Sequence, residues 1–227
     1  MTDAPSPRAA ASRRLSPSPA REEGRGVSFN FEELHAGVVA GVDEAGRGPW
    51  AGPVVAAAVV LDPARCPVGL GDSKKLTAAV RERLFGELAA TAMIGVGAAN
   101  VAEIDAINIL QATMLAMERA MAALGCAVDH VLVDGNRLPQ WRHSATAIVG
   151  GDGRSASIAA ASIVAKVTRD RMMTALDAEW PGYGWAANKG YGTAIHARAL
   201  ADLGVTPHHR RSFAPVRERL ARAKVFD

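Results

Sequence analysis

At 227 residues, with 49 % apolar and 5 % aromatic side chains, the chain suits one good-sized α/β domain that buries a real core, and its net charge of +3 mildly favours a polyanionic partner. Cys66 and Cys126 stand alone, which argues against a disulfide framework and a zinc-ligand motif. No apolar run approaches the ~18 residues that span a bilayer and no secretory h-region is present, so the chain reads as soluble and cytoplasmic with no membrane partner.

Residues 1–26 are rich in Pro, Ala, Ser and Arg and have no apolar period; they read as a disordered arm ahead of a domain over 27–227. An apolar run from Val38 to Val42 then predicts a buried strand that ends in Asp43 and Glu44. The turn Gly46-Arg47-Gly48-Pro49 follows, and a second strand is expected over Val54–Leu61. Two adjacent carboxylates resist ionisation, and burying either is costly without a cation. Glycines on both sides of Arg47 allow close backbone approach and let amide N–H groups face an anion. Together these features suggest a divalent metal held beside a phosphate. The bland alternative, two acids capping a turn, is the better reading of the dipeptide alone.

Asp72, Ser73, Lys74 and Lys75 sit in a loop before Thr77, the expected N-cap of a helix running to about Ala90 with Val80, Leu84 and Leu88 on one face. That loop is either solvated or a phosphate contact. Met93–Ala99 predicts a third strand. Apolar residues at spacings of three and four from Val101 to Leu124 predict one long helix, with a capping box at Asn100 and Glu103 and a stop at Gly125. His130–Asp134 is again a short apolar strand closed by an acid, and Ala145–Val149 is a further strand leading to Asp152. In an open α/β sheet the ligand crevice lies at the carboxyl ends of strands. Three acidic strand ends converging there would bring four carboxylates into one metal site.

Ser155 to about Glu179 has a helical pattern, with Ile158, Ser162, Ala165 and Arg169 in step and small residues for close packing on the sheet. Lys166 pairs with Asp170 along the helix or faces the acids. Pro181-Gly182-Tyr183-Gly184 breaks this helix. Tyr191, between Gly190 and Gly192, is a surface turn or a stacking platform. The run His208-His209-Arg210-Arg211-Ser212-Phe213 is a solvated cationic end or a phosphate track.

The blocks Gly41–Pro49 with Ala51–Val55, Asp72–Leu76, Asn108–Ala112, Val133–Asn136, Ala160–Asp170, Lys189–Tyr191 and His208–Phe213 stand in the order found in prokaryotic ribonuclease HII, the type 2 ribonuclease H, and the chain resembles that family from about Val38 to Val216. The resemblance implies an α/β fold: a ribonuclease H-like five-stranded mixed sheet flanked by helices, with a helical C-terminal portion. It implies that Asp43, Glu44, Asp134 and Asp152 are the catalytic carboxylates and the ligands of Mg²⁺ or Mn²⁺, two ions in the substrate complex. It implies substrate contacts from Gly46, Arg47, Gly48, Ser73, Lys74, Lys166, Tyr191, His208, Arg210 and Arg211. The expected substrates are RNA–DNA hybrids and duplex DNA with embedded ribonucleotides, cut 5′ of the ribonucleotide by a monomer. Trp50 replaces a smaller aliphatic residue, and Gly150 stands where the family often has lysine.

The chemistry points the same way. Phosphodiester hydrolysis needs an activated water and a stabilised leaving oxyanion; hard cations supply both and take oxygen ligands. Another metal-dependent nuclease or recombinase of this fold would need no 2′-OH. An inactive hybrid-binding relative would lack carboxylates, and none is missing. A nucleotide-phosphate enzyme is disfavoured, because neither a G-x-x-x-x-G-K-[ST] loop nor a G-x-G-x-x-G turn opens a helix.

Overall fold

The computed structural model describes residues 27–223; the arm expected over 1–26 lies outside them. The strands are β1 (Val39–Ala45), β2 (Val54–Val60), β3 (Met93–Ala99), β4 (His130–Asp134) and β5 (Ala145–Ile148). They form one sheet in the order β3-β2-β1-β4-β5. β1, β2 and β3 pair antiparallel, whereas β1–β4 and β4–β5 pair parallel. The expected five-stranded mixed sheet is therefore present. The strands whose sequences end in or lead to acids, β1, β4 and β5, are the mutually parallel ones, which puts their carboxyl ends at one edge.

Period-two alternation assigns the two faces. Ala40, Val42, Val54, Ala56, Ala58, Val131 and Val133 pack beneath α2 (Val101–Ala123). Ala57 and Val59 face the other way, against α1 (Ala78–Thr91) and α3 (Ala156–Glu179). Leu132 packs on Ile158 of α3. Alanine and glycine let the helices lie close. A Cβ at Gly41 would fall on the Ser157 backbone of α3, and one at Gly95 or Gly97 on the backbone of α2. Three shorter helices, α4 (Trp185–Asn188), α5 (Ala194–Leu203) and α6 (Ala214–Ala223), complete the C-terminal portion. Among the described residues no helix is long and apolar enough to cross a membrane.

Two helix caps lie where the sequence places them. Thr77 Oγ1 accepts from Val80 N–H and the Asn100–Glu103 capping box forms; Ser155, which the helical pattern includes as its first residue, is the N-cap of α3. β1 carries Asp43 and Glu44 at its end, in register with Ala57 and Ala56 of β2. One element differs. The helix expected over Val101–Leu124 is broken at Asn108, whose φ is 68° and whose Oδ1 accepts from the N–H groups of Leu110 and Gln111. Asn108 thus caps a second helical segment from a positive-φ, extended backbone (ψ 163°) that is strained for any residue with a side chain.

Candidate active site

Asp43 and Asp134 lie on the α3 face of neighbouring parallel strands, and Asp152 follows β5 in a short 3-10 turn (Gly151–Gly153). Each of the three offers a carboxylate oxygen within 4.8 Å of the others. Local structure fixes their directions. Asp43 accepts from the Glu44 N–H at 2.7 Å and from Ser162, whose hydroxyl also meets that of buried Ser73 at 2.7 Å. Asp134 accepts from Gly151 N–H at 2.7 Å, tying β4 to the turn that carries Asp152. Glu44 lines the same cleft from the next position on β1, with Arg47 at 3.4 Å.

Burial and crowding make these acids reluctant to ionise. Burial first, then the charges of Glu44 and Asp134, pushes Asp43 well above the usual carboxylate range. Burial also raises Glu44, with Asp134 adding to it and Arg47 opposing. Asp134 is raised by burial and then by Asp152. The ammonium of Lys74, 3.1 Å from Asp152 Oδ2, offsets part of this repulsion. An all-oxygen donor set, close-spaced and short of positive charge, fits a hard divalent cation.

Asp43, Glu44 and Asp134 floor a cleft of about 220 Å³ whose walls include Gly46, Arg47, Gly48, Ser73, Lys74, Lys166 and Tyr191. Lys166 pairs with Asp170 at 2.6 Å while lining the cleft. Tyr191 is 47 % exposed, with its ring beside Gly48. Gly46 has φ 97°, and a Cβ there would collide with the Arg169 guanidinium.

Arg210 is not in the cleft, and as a phosphate-contacting side chain it is corrected by the structure. It is fully buried behind the Gly46–Gly48 turn, donating to the carbonyls of Gly46 (2.6 Å), Arg47 (2.9 Å), Gly52 (2.9 Å) and Pro53 (3.1 Å). His208 and Arg211 also lie away from the cleft. His208 sits edge-on to Trp180 and Trp185, and exposed Arg211 gives its backbone N–H to Asp105. Arg169 joins Arg210 from α3, donating to the carbonyls of Pro53, Lys189 and Ala51. Burial lowers Arg169 to about 10 and Arg210 to about 9, so both stay cationic near neutral pH. Sequence reasoning missed this role of Arg169, although its phase with the small, buried residues of α3 was a signal. It also missed Glu32, whose Oε1 accepts from both Ser155 and Ser157 and clamps the start of α3 just after Asp152. Nothing local in the sequence marks that contact.

Comparison with known proteins adds the following. The family model described as Ribonuclease HII matches residues 40–216. A ribonuclease HII of Rhizorhabdus wittichii is 62 % identical over 191 residues, covering 84 % of this chain and 95 % of that protein. One of Ruegeria pomeroyi is 63 % identical over 179 residues, covering 78 % and 76 %. Among solved structures, the ribonuclease H2 of Pyrococcus horikoshii superposes with a TM-score of 0.68 at 29 % identity, covering 83 % of this chain and 99 % of that one.

Proposed function

The chain belongs to the ribonuclease HII family and is a metal-dependent endoribonuclease acting on the RNA of RNA–DNA hybrids; from that premise we propose that it also nicks duplex DNA on the 5′ side of a single embedded ribonucleotide. The observation that carries this reading is one cleft holding the acids Asp43, Glu44 and Asp134 beside the Gly46–Gly48 turn and the exposed ring of Tyr191.

Asp43, Glu44, Asp134 and Asp152 would hold two Mg²⁺ or Mn²⁺ ions, which when bound supply an activated water and stabilise the leaving oxyanion. The chain's own residues bind and orient the strand. Gly46 and Gly48 present backbone without side chains, so their amides reach the ribose 2′-OH, the group that separates RNA from DNA. Arg47, Lys74 and Lys166 line the cleft as cations for the flanking phosphates. The buried charges of Arg169 and Arg210 add a fixed positive field behind the turn. Tyr191 stacks on the sugar of the next nucleotide, where a deoxyribose fits and a 2′-OH would intrude. The water oxygen bonds to phosphorus as the P–O3′ bond breaks, and O3′ gains a proton. The products are a 3′-hydroxyl and a ribonucleotide carrying the 5′-phosphate. All these groups come from one chain, which fits a monomer.

The test is a gel assay on duplex DNA with one ribonucleotide, with Mg²⁺ or Mn²⁺, beside an all-DNA duplex. A nick 5′ of the ribonucleotide and an intact all-DNA control are expected. Comparable cutting of both would mean a nuclease that does not read the 2′-OH.

A further inference from the structure

Behind Tyr191 lies a fully buried pair of imidazoles, His196 and His209, with their Nε2 atoms 3.0 Å apart. Their partners permit one arrangement of protons. His196 Nδ1 is 3.0 Å from the Tyr191 carbonyl, which only accepts, so Nδ1 carries a proton. His196 Nε2 receives the indole N–H of Trp185 at 3.2 Å, so it is bare. His209 Nδ1 receives the Thr206 backbone N–H at 3.0 Å, so it is bare as well. His209 Nε2 must then carry its proton and donate to His196. Both rings are neutral, and each bare nitrogen already accepts hydrogen bonds. That leaves no free lone pair and rules the pair out as a metal site. The relay runs from Thr206 through His209 and His196 to the Tyr191 carbonyl.

That carbonyl also accepts from Thr193 N–H at 2.8 Å, while Tyr191 N–H donates to the Asn188 carbonyl at 2.9 Å. The backbone of Tyr191 is therefore pinned on both sides while its ring projects toward Gly48. Trp50 packs the same loop: its indole lies where a Cβ on Gly192 would be, and its backbone N–H donates to the Gly190 carbonyl at 2.8 Å.

We infer that His196 and His209 are positioning residues for recognition of the RNA–DNA junction: by holding the Tyr191 carbonyl they set the ring that tests the sugar after the ribonucleotide. The inference rests on the reading of Tyr191 given above. A loop held by a buried relay keeps the ring in place between turnovers, and a misplacement of about 1 Å costs as much as ~10²-fold.

The experiment compares His196→Asn, whose side-chain amide keeps a donor where Nδ1 stands, with His196→Leu, which does not. Both lose the acceptor for Trp185 and His209, so both are expected to lower the melting temperature alike. Cleavage rates are measured on duplex DNA with one ribonucleotide and on a long RNA–DNA hybrid, with Tyr191→Ala alongside. His196→Leu is expected to lower the ratio of junction to hybrid cleavage about tenfold, mostly in kcat, in parallel with Tyr191→Ala; His196→Asn is expected to keep the ratio within about threefold of the parent. A ratio lowered in Tyr191→Ala but unchanged in His196→Leu, or lowered equally in both His196 variants, overturns this inference and leaves the reading of Tyr191 standing. An unchanged ratio in Tyr191→Ala overturns both. Should His196→Leu fail to fold, His209→Gln against His209→Leu makes the same comparison, with the donor to His196 kept or lost.

Discussion

The carboxylates of Asp43 and Asp134 stand side by side on one face of two adjacent parallel strands. Val42 pairs with Val133, one residue before each acid, and α3 covers the face with Ser162 bonded to Asp43. The parallel register thus builds an electrostatic strain that bound metal would relieve, so stability and function pull in opposite directions here.

Asp43→Asn should therefore stabilise the metal-free protein, by about 1 kcal/mol at pH 7. The sign follows from linkage. The folded-state pKa of Asp43 is raised above its unfolded value, so its penalty is absent below the unfolded value near pH 4, grows as pH rises between the two values, and is fully present above the raised one. The advantage of the variant should vanish near pH 4. Thermal melts in EDTA at both pH values check this, and added Mn²⁺ should raise the melting temperature of the parent more than that of Asp43→Asn. A parent as stable as the variant at pH 7 would show that the buried repulsion is already compensated.

Asp134→Asn should keep the fold and lose activity. An amide still accepts from Gly151 N–H but is a neutral, weaker ligand. If the metals contribute several kcal/mol, turnover should fall by about 10²-fold or more. Near-normal turnover across a Mg²⁺ titration would remove Asp134 from the site.

Arg210→Met should be destabilising, by about 3 kcal/mol, because four carbonyls lose donors inside the protein at once. Arg210→Lys should recover only part of this, since one ammonium cannot span four acceptors arranged around a planar fork. Denaturant melts of the two variants check the order. If instead Arg210 served as a surface phosphate contact, both would be stable and only the salt dependence of binding would change.

How much of this was legible in the sequence depended on whether the signal was local. Thr77 and Asn100 act within four residues, so their caps could be read directly. The acids at the ends of β1 and β4 and after β5 were legible because an apolar run stopped by a carboxylate is unusual; the parallel pairing that unites them is visible only in the sheet. Arg210 was not legible. In sequence it is one cation in a run of histidines and arginines, and only tertiary packing turns it inward to hold Gly46. Asn108 was hidden because the apolar period continues across it while the backbone breaks.

The two glycines around Arg47 offer a final separation, between holding the turn and reading the ribose. Gly46 has φ 97°, and a Cβ there would strike the Arg169 guanidinium, which is itself bonded to Pro53, Ala51 and Lys189. Gly46→Ala should therefore cost about 2 kcal/mol or more in stability, with the left-handed backbone alone accounting for ~1–2 kcal/mol. It should lose activity as well, because the turn must move. Gly48 lies outside the left-handed region, and its added Cβ would meet only the Tyr191 ring, at 3.5 Å, an ordinary contact. Gly48→Ala should fold with nearly unchanged stability. Its methyl group would stand between Tyr191 and the space proposed for the ribose, so cleavage at a single embedded ribonucleotide should fall by about 10²-fold. Paired thermal melts and junction-cleavage rates for the two variants decide the matter. A Gly48→Ala variant that cuts the junction at the parent rate would mean that the ribose does not approach this side of the turn, and Gly46 would then matter for shape alone.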